Sequence, residues 1–157
     1  MSKKQLLFLC LGNICRSPAA EGVMRRMVDD AGRGDEFFID SAGIGDWHVG
    51  QLPDSRMRRR GALRGYRFDS RARQFSVRDF DRFDMILVMD HDNYRTVTSM
   101  ARNSADRDKV RMLASYITRH EGATVVPDPY YGGEADFDYA LDLIEDACAA
   151  LLSSLTD

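Results

Sequence analysis

Proline is scarce in this chain, at 4 of 157 residues, and tryptophan occurs once. No proline-rich linker, low-complexity tract or internal repeat breaks the sequence, so one domain spanning residues 1–157 is expected. No apolar run reaches the ~18 residues needed to cross a bilayer, and no membrane partner is expected. The start, Met1-Ser2-Lys3-Lys4, leads into only a short apolar stretch and lacks the long apolar region of a signal peptide. Cysteine is also sparse: three residues, an odd number, do not make an extracellular disulfide framework. A cytoplasmic protein with free thiols fits best. The three histidines, His48, His91 and His120, show neither helical i, i+4 pairing nor a neighbouring cysteine, so no metal or other cofactor is expected. Excess positive charge is lacking as well. The 22 Lys and Arg are outnumbered by 25 Asp and Glu, which argues against a dedicated nucleic-acid binder.

What is present concentrates near the N-terminus. Leu6-Leu7-Phe8-Leu9 reads as a buried strand, and Ala19 to Met24 reads as the first turns of a helix. Between them lies Cys10-Leu11-Gly12-Asn13-Ile14-Cys15-Arg16-Ser17-Pro18. A loop from strand end to helix start points backbone N–H groups outward, at the positive end of the helix dipole. Such a cradle favours an anion, including the thiolate of Cys10 at its edge. Arg16 adds a planar fork that matches two phosphate oxygens. Gly12 and Asn13 tolerate left-handed backbone, Ser17 suits a helix N-cap and Pro18 the first helical position. The Ser17 hydroxyl is also placed to reach the Cys10 sulfur. A nucleophile, a set of N–H donors and an arginine six residues on suit covalent phosphoryl transfer.

Further along, a helix is expected over about residues 17–31 and a short strand over 36–40, with Ser41 to Gly45 as loop. A helix between two strands makes them parallel. Pro53-Asp54-Ser55 opens a basic helix to about Arg60, and more arginines follow to Arg73. That run reads as a solvated face, as a patch for acidic phosphorylated partners, or more weakly as a nucleic-acid surface. Residues 84–89 read as a third, central strand, followed by a helix from the Asp90 cap to about Arg102. Ser76 is expected to cap a short helix, Asn103 to Asp108 to be a polar connection, and Val110 to Leu113 a fourth strand. The last helix, about 135–155, carries an apolar stripe that includes Cys148. Before it, Asp128 stands between Pro127 and Pro129, which reads either as a plain turn or as a stiffly held proton donor. Trp47, in a Gly-bounded loop, reads equally as a surface anchor or as the wall of an aromatic site.

The nine-residue text CLGNICRSP after a first strand resembles the low-molecular-weight protein tyrosine phosphatases. Met89-Asp90-x-x-Asn93, Ala72-Arg73-Gln74 and Asp128-Pro129-Tyr130-Tyr131-Gly132 are similar to further segments of that family, in its order. The elements and the resemblance together imply an α/β fold: one three-layer domain, a four-stranded parallel sheet of order 2-1-3-4, helices on both faces. The resemblance implies phosphotyrosine-containing proteins as substrates, with Cys10, Arg16, Asp128 and Ser17 as catalytic residues. Leu11, Gly12, Asn13, Ile14, Cys15 and Arg16 would hold phosphate. Trp47, His48, Tyr130 and Tyr131 would line the cleft, and Asn13, Ser41 and Ser70 would support the loop. Family members often carry histidine at the position of Ser70, which leaves the support network here to close another way. The family also suggests a protective Cys10–Cys15 disulfide, and a monomer or weak self-association. Rival expectations are an arsenate reductase, which lacks its extra thiols here, a non-catalytic phosphotyrosine-binding module, and a phosphatase of phosphoarginine or other small phosphoesters.

Overall fold

The computed structural model describes residues 3–155; Met1 and Ser2, part of the basic start, lie outside the described residues. Four parallel strands form one sheet in the order β2-β1-β3-β4, as expected: β1 (Lys4–Cys10), β2 (Phe37–Gly43), β3 (Met85–Val88) and β4 (Val110–Met112). The two central strands carry continuous buried runs, Leu6 to Cys10 and Met85 to Val88, because both of their faces are covered. Side chains alternate along β1. Leu6, Phe8 and Cys10 join a core with α1 (Arg16–Asp30) and α6 (Glu134–Ser154). Leu7 and Leu9 face the other way, toward Phe80 of α3 (Asp79–Arg82) and Val97 of α4 (His91–Ser99). Burying each such side chain contributes about 1.5–3 kcal/mol. Helices α2 (Ser55–Ala62) and α5 (Ser104–Lys109) complete the set. Among the described residues, no helix is long and apolar enough to cross a membrane.

Several local expectations are corrected. β2 runs on through Ser41, Ala42 and Gly43, which were expected as loop, because they pair in register with Phe8, Leu9 and Cys10. Asn103 to Asp108 is not a plain connection. Asn103 accepts a hydrogen bond from the Asp106 N–H and caps α5, too short a helix to show an apolar stripe. Ser76 does not cap α3 directly; it accepts from the Arg78 N–H, one turn early.

The sheet order reverses direction about β1: the chain adds β2 on one side, then β3 on the other. Ligand crevices form at the carboxyl ends of strands where the order reverses in this way. The loop after β1 and Asp90 after β3 both leave the sheet at that edge.

Candidate active site

The loop after β1 is bound through its carbonyls. The N–H groups of Ile44, Gly45 and Asp54 donate to the carbonyls of Cys10, Leu11 and Ile14 at 3.0, 2.9 and 2.7 Å. Among the described residues, the N–H groups of Gly12 to Arg16 meet no such acceptor, and Gly12, Ile14, Cys15 and Arg16 line a cleft of about 300 Å³. Asn13 takes the left-handed conformation, φ 57°. Gly12 does not, contrary to expectation; it is confined by space, since a Cβ there would stand 3.0 Å from the His48 ring. Gly43 makes room in the same way, because a Cβ would come within 3.1 Å of Asn13 and 3.0 Å of Gly12.

Cys10 Sγ lies at the bottom of the cleft, 3.0 Å from Ser17 Oγ and 3.4 Å from the Ser17 N–H. Ser17 is thus not the N-cap that was expected. The cap position falls on Cys15, and Ser17 turns inward within the first turn of α1 to reach the sulfur. Asn13 is buried with its side chain away from the cleft, so it supports the loop and does not line it. Its Nδ2 donates to Ser17 Oγ at 2.8 Å and to Ser41 Oγ at 3.1 Å, while Arg73 N–H donates to its Oδ1 at 3.0 Å. Those three bonds fix which end of the amide is nitrogen. Ser41 then passes its own proton on, donating to Glu21 Oε1 at 2.5 Å. Glu21 is 3% exposed; burial pushes its carboxyl pKa up, opposed by the Ser41 bond and by Arg25 at 2.9 Å. Glu21 was missed from sequence, where one glutamate in a helix carries no mark. Ser70, expected in this network, takes no part in these bonds.

Arg16 is 2% exposed. Its Nη1 donates to Asp90 Oδ2 at 2.7 Å and to the Val126 carbonyl at 3.0 Å. Asp90 was expected only as a helix cap. It does cap α4, accepting from the Asn93 N–H at 2.7 Å, and its other oxygen aims the guanidinium. Its place at the exit of a central parallel strand is the signal that could have revealed this second task. Across the cleft, Asp128 Oδ2 stands 3.7 Å from Arg16 Nη2, and Asp128 Oδ1 accepts from the Tyr130 N–H at 3.1 Å. The Asp128 side chain is 41% exposed. Trp47, His48, Tyr130 and Tyr131 all line the cleft. The Tyr130 and Tyr131 rings meet edge to face at 4.9 Å, and Arg56 stacks over Tyr130 at 5.3 Å. Tyr131 is 94% exposed and Trp47 64%, so the cleft mouth is aromatic and open.

Cys15 lies in the same loop. Burial pushes its thiol far up, and Asp54 and Cys10 push it further. Cys148 is wholly buried in α6, as its stripe position implied. All three cysteines are free.

A buried sulfur, a ring of free amides, a buried guanidinium and a carboxylate at the mouth can bind a tetrahedral oxyanion and exchange a phosphoryl group. Known proteins agree with that geometry. The profile described as low molecular weight phosphotyrosine protein phosphatase matches residues 5–157. A Synechocystis sp. protein named for the low molecular weight protein-tyrosine-phosphatases is 52% identical over 151 residues, 96% of each chain. The low molecular weight protein-tyrosine-phosphatase of Streptomyces coelicolor is 42% identical, covering 98% of this chain and 94% of its own. The crystal structure of a protein tyrosine phosphatase from Entamoeba histolytica, with Hepes in its active site, superposes with a TM-score of 0.94 at 43% identity, over 98% of this chain and 97% of that one. With its fold, its cleft and its sequence in accord over nearly the whole length, this chain belongs to the low molecular weight phosphotyrosine protein phosphatase family.

Proposed function

We propose that the protein, as a single phosphatase domain, hydrolyses phosphotyrosine in proteins, and small aryl phosphates, through a cysteinyl-phosphate intermediate. Cys10 as thiolate attacks phosphorus while the bond to the tyrosyl oxygen breaks. The three equatorial oxygens rest on the Leu11 to Arg16 amides and on the Arg16 fork, which Asp90 and the Val126 carbonyl hold in aim. Asp128 gives its proton to the leaving phenolate. It then takes a proton from water, whose oxygen attacks the phosphocysteine and returns Cys10 as thiolate, with inorganic phosphate as product. The Ser17 hydroxyl accepts from Asn13, and its own proton, which can reach the Ala42 carbonyl at 3.4 Å, turns to the departing sulfur 3.0 Å away. The aromatic mouth suits a phenyl ring. No step calls for a metal or a cofactor.

The observation that carries this reading is the stacking order in one cleft: sulfur at the base, guanidinium beside it, carboxylate 3.7 Å from that guanidinium at the opening. The relatives named for phosphotyrosine support the substrate class. Three free buried thiols suit a reducing, cytoplasmic setting, and nothing in the mechanism needs a second subunit, in keeping with a monomer or weak self-association. Under peroxide, Cys15 would serve as second sulfur of a reversible Cys10–Cys15 disulfide, registered as a loss of two hydrogens in intact mass. The decisive experiment is Cys10→Ser. Turnover of an aryl phosphate should vanish, while an oxyanion such as tungstate still raises the melting temperature. Turnover near the wild-type level would overturn the mechanism.

A further inference from the structure

Nearly all the positive charge here is arginine: Lys3, Lys4 and Lys109 are the only lysines among 22 basic residues, leaving 19 arginines. Around α2 these arginines divide into two groups. Arg56 pairs with Asp54, Arg60 with Glu134 and Asp138, and Arg64 with Asp142 and Glu145, so the face toward α6 is neutralised. The opposite face is not. Arg58, Arg59, Arg67 and Arg71 gather around a groove of about 760 Å³ floored by Phe68. Asp69 is the one carboxylate in that groove, 3.4 Å from Arg67. Four cations less one anion leave the groove at +3, in a chain whose net charge is −3. Arg58 and Arg71 donate to the backbone carbonyls of Pro53 and Gly50, which orients them without cancelling their charge. The Arg59 side chain has no hydrogen bond or ion pair among the described residues.

The groove is built, not loose. The Phe68 ring is buried over Gly22 and Gly61, where an added Cβ would stand 2.5 and 2.3 Å from it. Gathering four guanidiniums against the single carboxylate of Asp69 raises the energy of the free protein, and a ligand carboxylate relieves it. The groove also adjoins the cleft. His48 lines the cleft, Leu52 lines the groove, and hydrogen bonds between Gly50, Gln51 and Ala72 hold the strip between them. A polypeptide whose phosphorylated side chain enters the cleft can run past His48 toward the arginines.

We infer that this arginine groove docks acidic residues that flank the phosphotyrosine of a protein substrate. The inference rests on the phosphatase reading above. A peptide carboxylate fits better than a nucleic-acid backbone, because the groove is short and apolar at its floor, and the rest of the surface repels a long polyanion.

The test compares the wild type with the Arg59→Glu/Arg67→Glu double variant. Both residues are exposed, and neither joins two elements of the fold. Three substrates are used: a small aryl phosphate, a phosphotyrosine peptide flanked by Asp and Glu, and the same peptide with Asn and Gln. Wild-type kcat/KM should favour the acidic peptide by about tenfold, and that advantage should fall at high salt. In the variant the acidic-to-neutral ratio should drop to about one or below, with aryl phosphate turnover unchanged. Equal ratios in the two proteins would overturn the inference. So would an oligonucleotide that competes with peptide in the wild type alone while the two ratios stay equal. Anisotropy binding of both peptides to the two proteins reads the same ratio without turnover. Loss of aryl phosphate hydrolysis in the wild type would therefore indict the phosphatase reading, while the binding ratio still judges the groove. An Arg59→Gln/Arg71→Gln variant repeats the measurement if the charge reversals fail to fold.

Discussion

The two halves of the cleft are held in opposite ways. Apart from Leu11 and Gly12 the Cys10–Ser17 loop is buried, three of its carbonyls are tied to residues 44–54, and Asn13 and Ser17 join a chain of hydrogen bonds from Glu21 to the sulfur. The Asp128–Tyr131 loop is largely exposed. It is anchored where the Val126 N–H donates to the Met89 carbonyl at 2.8 Å, and beyond that mainly by short-range bonds of its own. The contrast matches the two tasks of the proposed mechanism. Donors for a developing oxyanion act best when fixed beforehand, since any reorganisation adds to the barrier. A proton donor must reach leaving groups of different size and let product out, so it belongs on a segment with fewer constraints.

Substitutions at three positions, with Cys10→Ser as the limiting case, put that contrast under strain. Asp128→Asn should cut turnover of phosphotyrosine by ~10²–10⁴ and leave the melting temperature unchanged. The loss should shrink for nitrophenyl phosphate, whose leaving group needs less protonation. A large drop in melting temperature would show that the mouth is as tightly integrated as the base. Asp90→Ala should lower kcat/KM by roughly 30-fold, about 2 kcal/mol, since Arg16 keeps the Val126 carbonyl but loses its carboxylate. Asp90→Asn, which can still cap α4, should recover part of the stability but less of the activity; equal recovery of both would reduce Asp90 to a cap. The smallest effect belongs to Glu21→Gln. Burial raises the Glu21 pKa in the folded state, so its contribution to stability is fullest at low pH and is lost as pH rises through that raised value. The variant should lose this pH dependence and match or exceed the wild type at neutral pH, within about 4 °C in melting temperature. A steeper fall of wild-type stability toward low pH than in the variant would reverse the sign and refute the assignment.

Much of the fold was legible because burial leaves its mark on composition. Leu6 to Leu9 and Met85 to Val88 are apolar on both faces, as central parallel strands must be, and α6 repeats its apolar residues at helical spacing. The extension of β2 through Ser41 to Gly43 was not legible, since those residues have no strand preference and are held by register against Phe8 to Cys10. The helix α5 was hidden for a related reason: its stability comes from the Asn103 cap and the Arg102–Asp106 pair, which no apolar stripe announces.

The candidate site divides along the same line. Cys10, the cradle residues, Arg16 and Ser17 lie within one strand–loop–helix, so their spacing already dictates their geometry. Asp128 is distant in the chain, and only its resemblance to a family segment brought it to the cleft. Asp90, Glu21 and the Arg73 N–H were beyond sequence reasoning in these roles, because each acts through a neighbour that folding supplies.

Sequence by itself determined the local chemistry: a sulfur at the end of a buried strand, followed by amides and a guanidinium, makes a cradle suited to an anion wherever that strand goes. Tertiary structure alone decided what closes and aims it. The reversal of strand order about β1 sets the exits of β1 and β3 side by side, which brings Asp90 to Arg16. The packing of α1 against β2 puts Glu21 on Ser41, in the network that Ser70 does not join. Contacts between residues far apart in the chain depend on which surfaces bury each other, and that is settled by the whole fold and not by any one stretch of it.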